Sequence, residues 1–185
     1  LKSLGFLWRI QALGKPMHKK ILSIIRKKNK TKIVSLSAYS KNVVEILDKH
    51  CDIVLVGDSL GSVLYNYKST REVSLDTMIE HSKSVRLGVK ESLMVVDMPY
   101  NTYCTINSAL KNAKKIIKET KCDAVKLEGG KKIIRQVQHL IKNKIPVMGH
   151  LGVLPQSIKG KFRSVGKSER EKRQLLSDAK LLEEN

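Results

Sequence analysis

The sequence predicts an α/β domain built from parallel strands, and three observations lead to this prediction. Short apolar runs of strand length alternate with longer segments whose apolar residues recur at helical spacing. Unbroken strand-helix alternation predicts parallel strands with right-handed crossovers, hence a doubly wound sheet or a TIM barrel. Polar residues directly follow the apolar part of four successive strands, at the edge where barrel enzymes carry their chemistry. This last observation favours the barrel.

Five strands are predicted from β-branched and aliphatic runs, over residues 33–38, 53–56, 93–96, 124–127 and 145–148. The second strand is the clearest, because its apolar run stops abruptly at Gly57 and Asp58. A continuous apolar run of this length is typical of a strand that is buried on both faces.

Helices are predicted between the strands from apolar residues at helical spacing. They begin near Ile21 and Asn42, at the cap residues Ser74 and Thr105, at Lys131, and at Ser168, which is spaced from Glu171 as in a capping box. A polar loop containing residues 65–68 is predicted after the second strand. Residues 17–185 are therefore predicted to form one domain, and residues 1–16 an N-terminal extension of unknown role.

The chain is strongly basic, with 36 Lys and Arg against 17 Asp and Glu. Nucleic acid or an acidic membrane could bind a chain of this charge. One alternative hypothesis is therefore a basic nucleic-acid-binding or scaffold fragment. The lysines are spread over every predicted helix, however, and aromatic residues make up only 4%, which disfavours a base-stacking surface. We expect a solvated surface that attracts anionic small molecules, with neither a nucleic-acid nor a membrane partner.

The three cysteines, Cys51, Cys104 and Cys122, lack the spacing of a zinc site. They indicate a reducing compartment.

Asp58, Asp97, Glu128 and His150 follow the second to fifth strands, so they are predicted to meet at the carboxyl edge of the sheet. Three converging carboxylates repel one another unless a cation lies between them. Oxygen ligands favour Mg²⁺ over zinc, and such an ion would accept a bidentate oxo-acid and stabilise its enolate. Lys126 lies two residues before Glu128, so both side chains face the same way and the lysine would offset a substrate carboxylate or enolate oxygen.

Several ordered segments carry a family resemblance, namely residues 56–61, 97–100, 125–130, 149–152 and 155–157. Together they resemble the ketopantoate hydroxymethyltransferase family over about residues 21–183. The resemblance implies a (β/α)8 TIM barrel of the phosphoenolpyruvate/pyruvate type, of which about the first five β/α units are present. It also implies a cytoplasmic enzyme that forms homo-oligomers, decamers in this family.

The resemblance also implies roles for individual residues. The metal ligands would be Asp58, Asp97 and Glu128, the last partly through water. The oxo-acid would be bound by a set of five residues, namely Asp58, Ser59, Asp97, Lys126 and His150. The implied reaction transfers a hydroxymethyl group from 5,10-methylenetetrahydrofolate to 3-methyl-2-oxobutanoate, giving 2-dehydropantoate for pantothenate and coenzyme A synthesis. A magnesium-dependent carbon-carbon lyase of the same superfamily is the other enzymatic alternative.

The sequence departs from the family pattern at two single positions and in its length. Ser40 stands where the family has aspartate, and Leu154 stands where it has threonine. The family's general-base glutamate lies on a strand expected beyond Asn185, so no catalytic base is assigned within the chain. We therefore expect a partial form of the enzyme with little or no activity alone.

Overall fold

The computed structural model describes residues 19–158, 160 and 162–185, so the predicted extension over residues 1–16 lies outside the described residues. The strands are β1 (Ser35–Ser37), β2 (Ile53–Val56), β3 (Leu93–Asp97), β4 (Ala124–Glu128) and β5 (Val147–His150). The helices are α1 (Lys19–Lys27), α2 (Lys41–Leu47), α3 (Leu60–Tyr65), α4 (Leu75–Gly88), α5 (Ile106–Thr120), α6 (Ile134–Lys142) and α7 (Glu169–Glu184). Short 3₁₀ turns lie at Thr70–Glu72, Lys131–Ile133 and Pro155–Ser157.

The strands form one parallel sheet in the order β1-β2-β3-β4-β5. A doubly wound sheet reverses its strand order at a switch point, whereas a barrel adds each strand beside the preceding one. The consecutive order therefore decides between the two predicted architectures and confirms a partial TIM-barrel arrangement.

The two faces of the sheet pack against different helices. One face, which includes Val54, Val96 and Leu127, belongs to the main core with α2, α4, α5 and α6. The other face carries a smaller apolar cluster in which α1 packs on the strands, formed by Ile21, Ile24, Ile53, Leu93, Val95, Ala124 and Met148. Because side chains alternate between faces, Asp97, Lys126 and Glu128 continue the second face beyond its apolar part.

The edge strands differ from their predicted bounds. Pro146 has no N–H to donate, and its carbonyl accepts from Val125, so β5 begins at Val147 rather than at Ile145. At the opposite edge, Ile33 and Val34 are 36% and 44% exposed, and β1 is limited to Ser35–Ser37.

The predicted loop after β2 is partly wrong. The segment from Leu60 to Tyr65 forms α3, which ends at Asn66 in the left-handed conformation with φ 55°. Asparagine tolerates this conformation and is common after helices, so the polar run of residues 66–68 marks the helix end.

Helix starts agree with the predicted caps at two positions and differ in detail at a third. The hydroxyls of Ser74 and Thr105 accept from the third residue of α4 and α5. Ser168 accepts from the N–H of Glu171, but Glu171 accepts from Gly166 and Lys167, so the predicted reciprocal capping box is wrong. Within the described residues, no helix combines the length and apolarity needed to cross a bilayer.

Asp48 links two loops at the amino end of the sheet. Its carboxylate accepts from the backbone N–H groups of Lys90, Glu91 and Ser92 at 2.8–2.9 Å. Burial alone would raise the pKa of Asp48, but these three hydrogen bonds outweigh burial and hold the pKa below its usual value.

We expect Asp48→Asn to lower the free energy of unfolding by about 1–3 kcal/mol, because an amide donor would face buried N–H donors. The lowered pKa makes this contribution fully present above the unfolded-state pKa of about 4, and it is lost as the pH falls through the folded-state value. Urea unfolding at pH 7 and pH 3 measures both effects. The exposed Asp76→Asn is the control, and an equal loss in both variants would contradict the prediction.

Candidate active site

The strand register brings the predicted polar residues together. Asp97 is the register partner of Lys126, and Glu128 is the register partner of His150. Asp58 joins them from the loop after β2, where its backbone N–H donates to Asp97 Oδ2 at 3.0 Å. These five residues therefore occupy neighbouring positions at the carboxyl edge of the sheet.

Lys126 and Asp97 form a buried ion pair. The distance from Lys126 Nζ to Asp97 Oδ1 is 2.7 Å, and their side chains are 5% and 4% exposed. Burial opposes the charge on Lys126, but the Asp97 carboxylate and the other nearby acids outweigh it and raise the pKa of the lysine. Lys126 is therefore an ammonium ion at neutral pH.

The surroundings of Asp58 favour its neutral, protonated form. Burial first, and then the Asp97 carboxylate, raise the pKa of Asp58 from 3.8 to about 7, although Gln156 and Lys126 act in the other direction. One buried ammonium thus faces the buried carboxyl groups of Asp58, Asp97 and Glu128. The site has an excess of negative charge that a proton or a cation would offset.

Glu128 lies between a histidine and a backbone amide. Its Oε1 is 3.2 Å from Nδ1 of His150, and its Oε2 accepts from the N–H of Gln156 at 3.0 Å. The Glu128 side chain is 3% exposed and that of His150 is 22% exposed, so the histidine lies at the solvent side of the pair.

Gln156 is a site residue to which the sequence assigned no role. Its Nε2 donates to Asp58 Oδ2 at 2.7 Å and to the carbonyl of Met98 at 3.0 Å, while its Oε1 accepts from the Tyr103 hydroxyl. The available signal was its position in the 155–157 segment, which follows β5 and belongs to the ordered motifs.

Ser59 is held by a residue that the sequence analysis also missed. Its hydroxyl lies 2.8 Å from that of Tyr39, whose backbone carbonyl accepts from Nδ1 of His81. Tyr39 follows β1 closely, so the strand-end rule that found Asp58 also indicates this position. A Cβ atom on Gly57 would lie 2.9 Å from the Ser59 hydroxyl oxygen, so glycine leaves room for this arrangement.

An open groove of about 930 Å³ adjoins Glu128 and Gln156. It runs between the loops after β3 and β4, the turn after β5, and α7. Its lining includes Tyr100, Tyr103, Lys131, Lys132, Gln136 and Leu154. The groove thus combines aromatic rings, exposed cations and a direct boundary with the acidic cluster.

The ligand atoms fit a hard divalent cation, because the acids are buried and supply only oxygen. The three acids also outnumber the buried ammonium of Lys126. Asp58 and Asp97 are the adjacent pair that would hold such an ion. Across the described ranges 19–158, 160 and 162–185, no three His, Cys, Asp or Glu side chains lie ready to ligate one ion. Glu128 is linked to Asp58 through Gln156, which donates hydrogen bonds to both carboxylates.

Comparison with known sequences decides the family. The model of the ketopantoate hydroxymethyltransferase family matches residues 18–185. The chain belongs to this family. The family is the one that the ordered motifs indicated, so that prediction is confirmed. The matched region contains Asp58, Asp97, Lys126, Glu128 and His150.

Similar curated hydroxymethyltransferases agree with the family assignment. The chain is 68% identical over 168 residues to 3-methyl-2-oxobutanoate hydroxymethyltransferase of Pelagibacter ubique (strain HTCC1062), covering 91% of this chain and 65% of the relative. It is 49% identical over 150 residues to the Rhizobium etli protein of the same name, covering 80% of this chain and 55% of the relative. The chain therefore spans roughly three fifths of the length of these hydroxymethyltransferases.

Solved structures with a similar fold have much lower sequence identity. A 2,3-dimethylmalate lyase of the PEP mutase/isocitrate lyase superfamily has a TM-score of 0.53 at 12% identity, covering 72% of this chain and 53% of that one. A phosphoenolpyruvate phosphomutase from Streptomyces platensis subsp. rosaceus has a TM-score of 0.52 at 11% identity, covering 68% and 49%. These likenesses concern the fold alone and agree with the barrel arrangement of the strands.

We expect Lys126→Met to lower the free energy of unfolding by about 3–5 kcal/mol, because it leaves Asp97 buried without its cation. The matched control is Lys115→Met, since Lys115 lies at the same 2.7 Å from Asp76 but both side chains are exposed. Water replaces that partner, so we expect a much smaller loss. Urea unfolding measures both variants, and equal losses would contradict the buried pair.

Proposed function

We propose that this protein transfers a hydroxymethyl group from 5,10-methylenetetrahydrofolate to 3-methyl-2-oxobutanoate, giving 2-dehydropantoate for pantothenate synthesis. The observation that carries the proposal is the buried cluster of Asp58, Asp97 and Glu128 around Lys126 in a chain of the ketopantoate hydroxymethyltransferase family. The same cluster would also suit other oxo-acid chemistry, so the family membership selects the reaction.

Asp58 and Asp97 would hold Mg²⁺, and Glu128 would contribute partly through water. When bound, the ion supplies positive charge that polarises the 2-oxo group of the substrate. The excess of buried carboxyl groups over the buried ammonium of Lys126 supports this assignment, because burial and the neighbouring Asp97 carboxylate both raise the pKa of Asp58. The protein's own contribution is to keep both carboxylates close despite their repulsion.

Lys126 and Ser59 would bind the carboxylate of the oxo-acid. Lys126 is kept charged by its acidic neighbours, so it offers a permanent positive charge in a buried place. If Tyr39 donates its hydroxyl proton to Ser59, the serine proton is left to donate to the substrate. His150, next to Glu128 and partly exposed, would line the solvent side of the same pocket.

The groove beside Glu128 would hold the folate donor. Tyr100 and Tyr103 offer aromatic surface for a flat pterin ring, and Lys131 and Lys132 offer charge for the carboxylates of its glutamate tail. Its volume of about 930 Å³ is within the range of small-molecule sites.

A cytoplasmic location and assembly into homo-oligomers belong to the same proposal. Exposed apolar side chains on the neighbouring helices α2 and α4 support a contact with a second copy, since Ile46 and Leu87 are each 71% exposed.

We expect calorimetric titration to show that 3-methyl-2-oxobutanoate binds only when Mg²⁺ is present. Binding of 3-methylbutanoate, which lacks the 2-oxo group, should be at least about tenfold weaker, because a bidentate contact is lost. With Mn²⁺ as the probe in place of Mg²⁺, Asp58→Asn and Asp97→Asn should each weaken metal binding by more than about tenfold. Asp76→Asn is the control, and metal-independent oxo-acid binding or unchanged Mn²⁺ affinity in the site variants would refute the assignment.

We expect the double variant Lys131→Ala/Lys132→Ala to bind tetrahydrofolate about tenfold more weakly at low salt, since each exposed charge pair contributes up to about 1 kcal/mol. The difference should shrink as salt is added. Lys114→Ala/Lys118→Ala removes the same charge from exposed positions of α5 and is the control. Equal weakening in both double variants would indicate a general field rather than a groove site.

A further inference from the structure

We propose that Gln156 is a positioning residue that sets the arrangement of Asp58 and Glu128, and that Tyr103 fixes the direction of its amide. The inference rests on the proposed metal site and extends it to residues that would not touch the ion. The hydrogen bonds of Gln156 to Asp58, Met98, Glu128 and Tyr103 are called the Gln156 bridge below.

The Gln156 bridge uses every polar group of the side chain. Both amide hydrogens have acceptors, at Asp58 Oδ2 and at the Met98 carbonyl, and the amide oxygen accepts from Tyr103. The backbone N–H adds the bond to Glu128. Gln156 is only 4% exposed, so an unused amide group would be costly at this position.

The Met98 carbonyl and the Tyr103 hydroxyl together determine which way the amide faces. A backbone carbonyl can only accept, so the amide nitrogen must lie toward Met98 and Asp58. The amide oxygen then lies toward Tyr103, whose hydroxyl donates to it. The reversed amide would place its oxygen against a carboxylate and a carbonyl, which is three acceptors together.

The Gln156 bridge joins loops that are far apart in the chain. It connects the turn after β5 to the loops after β2 and β3 and to the last residue of β4, and the bond to Asp58 spans 98 residues. Asp58 and Glu128 both receive hydrogen bonds from this one residue, which limits how far they can separate.

A neutral amide has a specific advantage at this position. It donates to Asp58 without changing the net charge of the cluster, so the demand for a cation remains. An arginine or lysine would satisfy that demand itself, and a glutamate would add repulsion. The residue type therefore matches a site whose charge is completed by a bound metal.

Gln156→Leu keeps the approximate size of the side chain and removes the three hydrogen bonds of its amide, while the backbone N–H can still bond Glu128. We expect it to weaken Mn²⁺ binding by about tenfold or more, the usual effect of losing a group that orients a metal ligand. Gln156→Glu replaces the amide group that donates to Asp58 by a carboxylate. We expect this variant to bind Mn²⁺ more weakly than Gln156→Leu, or to change the pH dependence of Mn²⁺ binding. Gln138→Leu removes an exposed amide from α6 and should leave Mn²⁺ affinity unchanged.

Tyr103→Phe tests whether the tyrosine acts through Gln156. We expect this variant to weaken Mn²⁺ binding, and the double variant with Gln156→Leu to be no weaker than Gln156→Leu alone. Fully additive losses would overturn the assigned role of Tyr103.

Hydrogen exchange of the Gln156 side-chain amide, followed by NMR in metal-free protein, tests the bridge independently of metal binding. We expect slow exchange in the wild-type chain and fast exchange in Tyr103→Phe. Fast exchange in the wild type would overturn the bridge itself, and unchanged Mn²⁺ affinity in Gln156→Leu would overturn its positioning role. Slow exchange in a wild-type chain that binds no Mn²⁺ would instead overturn the proposed metal site, and with it the role assigned to the bridge.

Discussion

The arrangement of the site depends on one electrostatic constraint, which is that buried carboxyl groups outnumber the buried ammonium that faces them. Lys126 pairs with Asp97, and Asp58 and Glu128 lie beside the pair in the same low-dielectric environment. Separating such charges from water is expensive unless each is compensated. The fold must therefore hold the acids together, supply neutral donors to them, and leave the remaining charge for something that binds.

The parallel sheet meets the first requirement through its register. Lateral pairing of β3 with β4 sets Asp97 beside Lys126, and strand alternation points both toward the face on which α1 covers the apolar half. Backbone and amide donors meet the second requirement, since the N–H of Asp58 bonds Asp97 and Gln156 bonds both Asp58 and Glu128. None of these neutral donors changes the net charge.

The site and the surface carry opposite charge, which relates the basic composition to the proposed chemistry. A net charge of +19 attracts anions such as oxo-acids and folates toward the protein. The acidic cluster would repel the same anions at close range, apart from the local charge of Lys126. A divalent ion resolves this conflict, because it binds the carboxylates and offers positive charge to the substrate.

Local patterns in the sequence determined the strands, most helix starts and the residues that end each strand. Period-two alternation and the common carboxyl edge of parallel strands were enough to predict that five polar residues lie close together, namely Asp58, Asp97, Lys126, Glu128 and His150. The ordered motifs identified the family. Only the tertiary structure decided the consecutive strand order, the ion pair of Lys126 with Asp97, and the roles of Gln156, Tyr103 and Tyr39. These depend on contacts between segments far apart in the chain, and an amide or a hydroxyl has no sequence periodicity that reveals which distant acceptor it will meet.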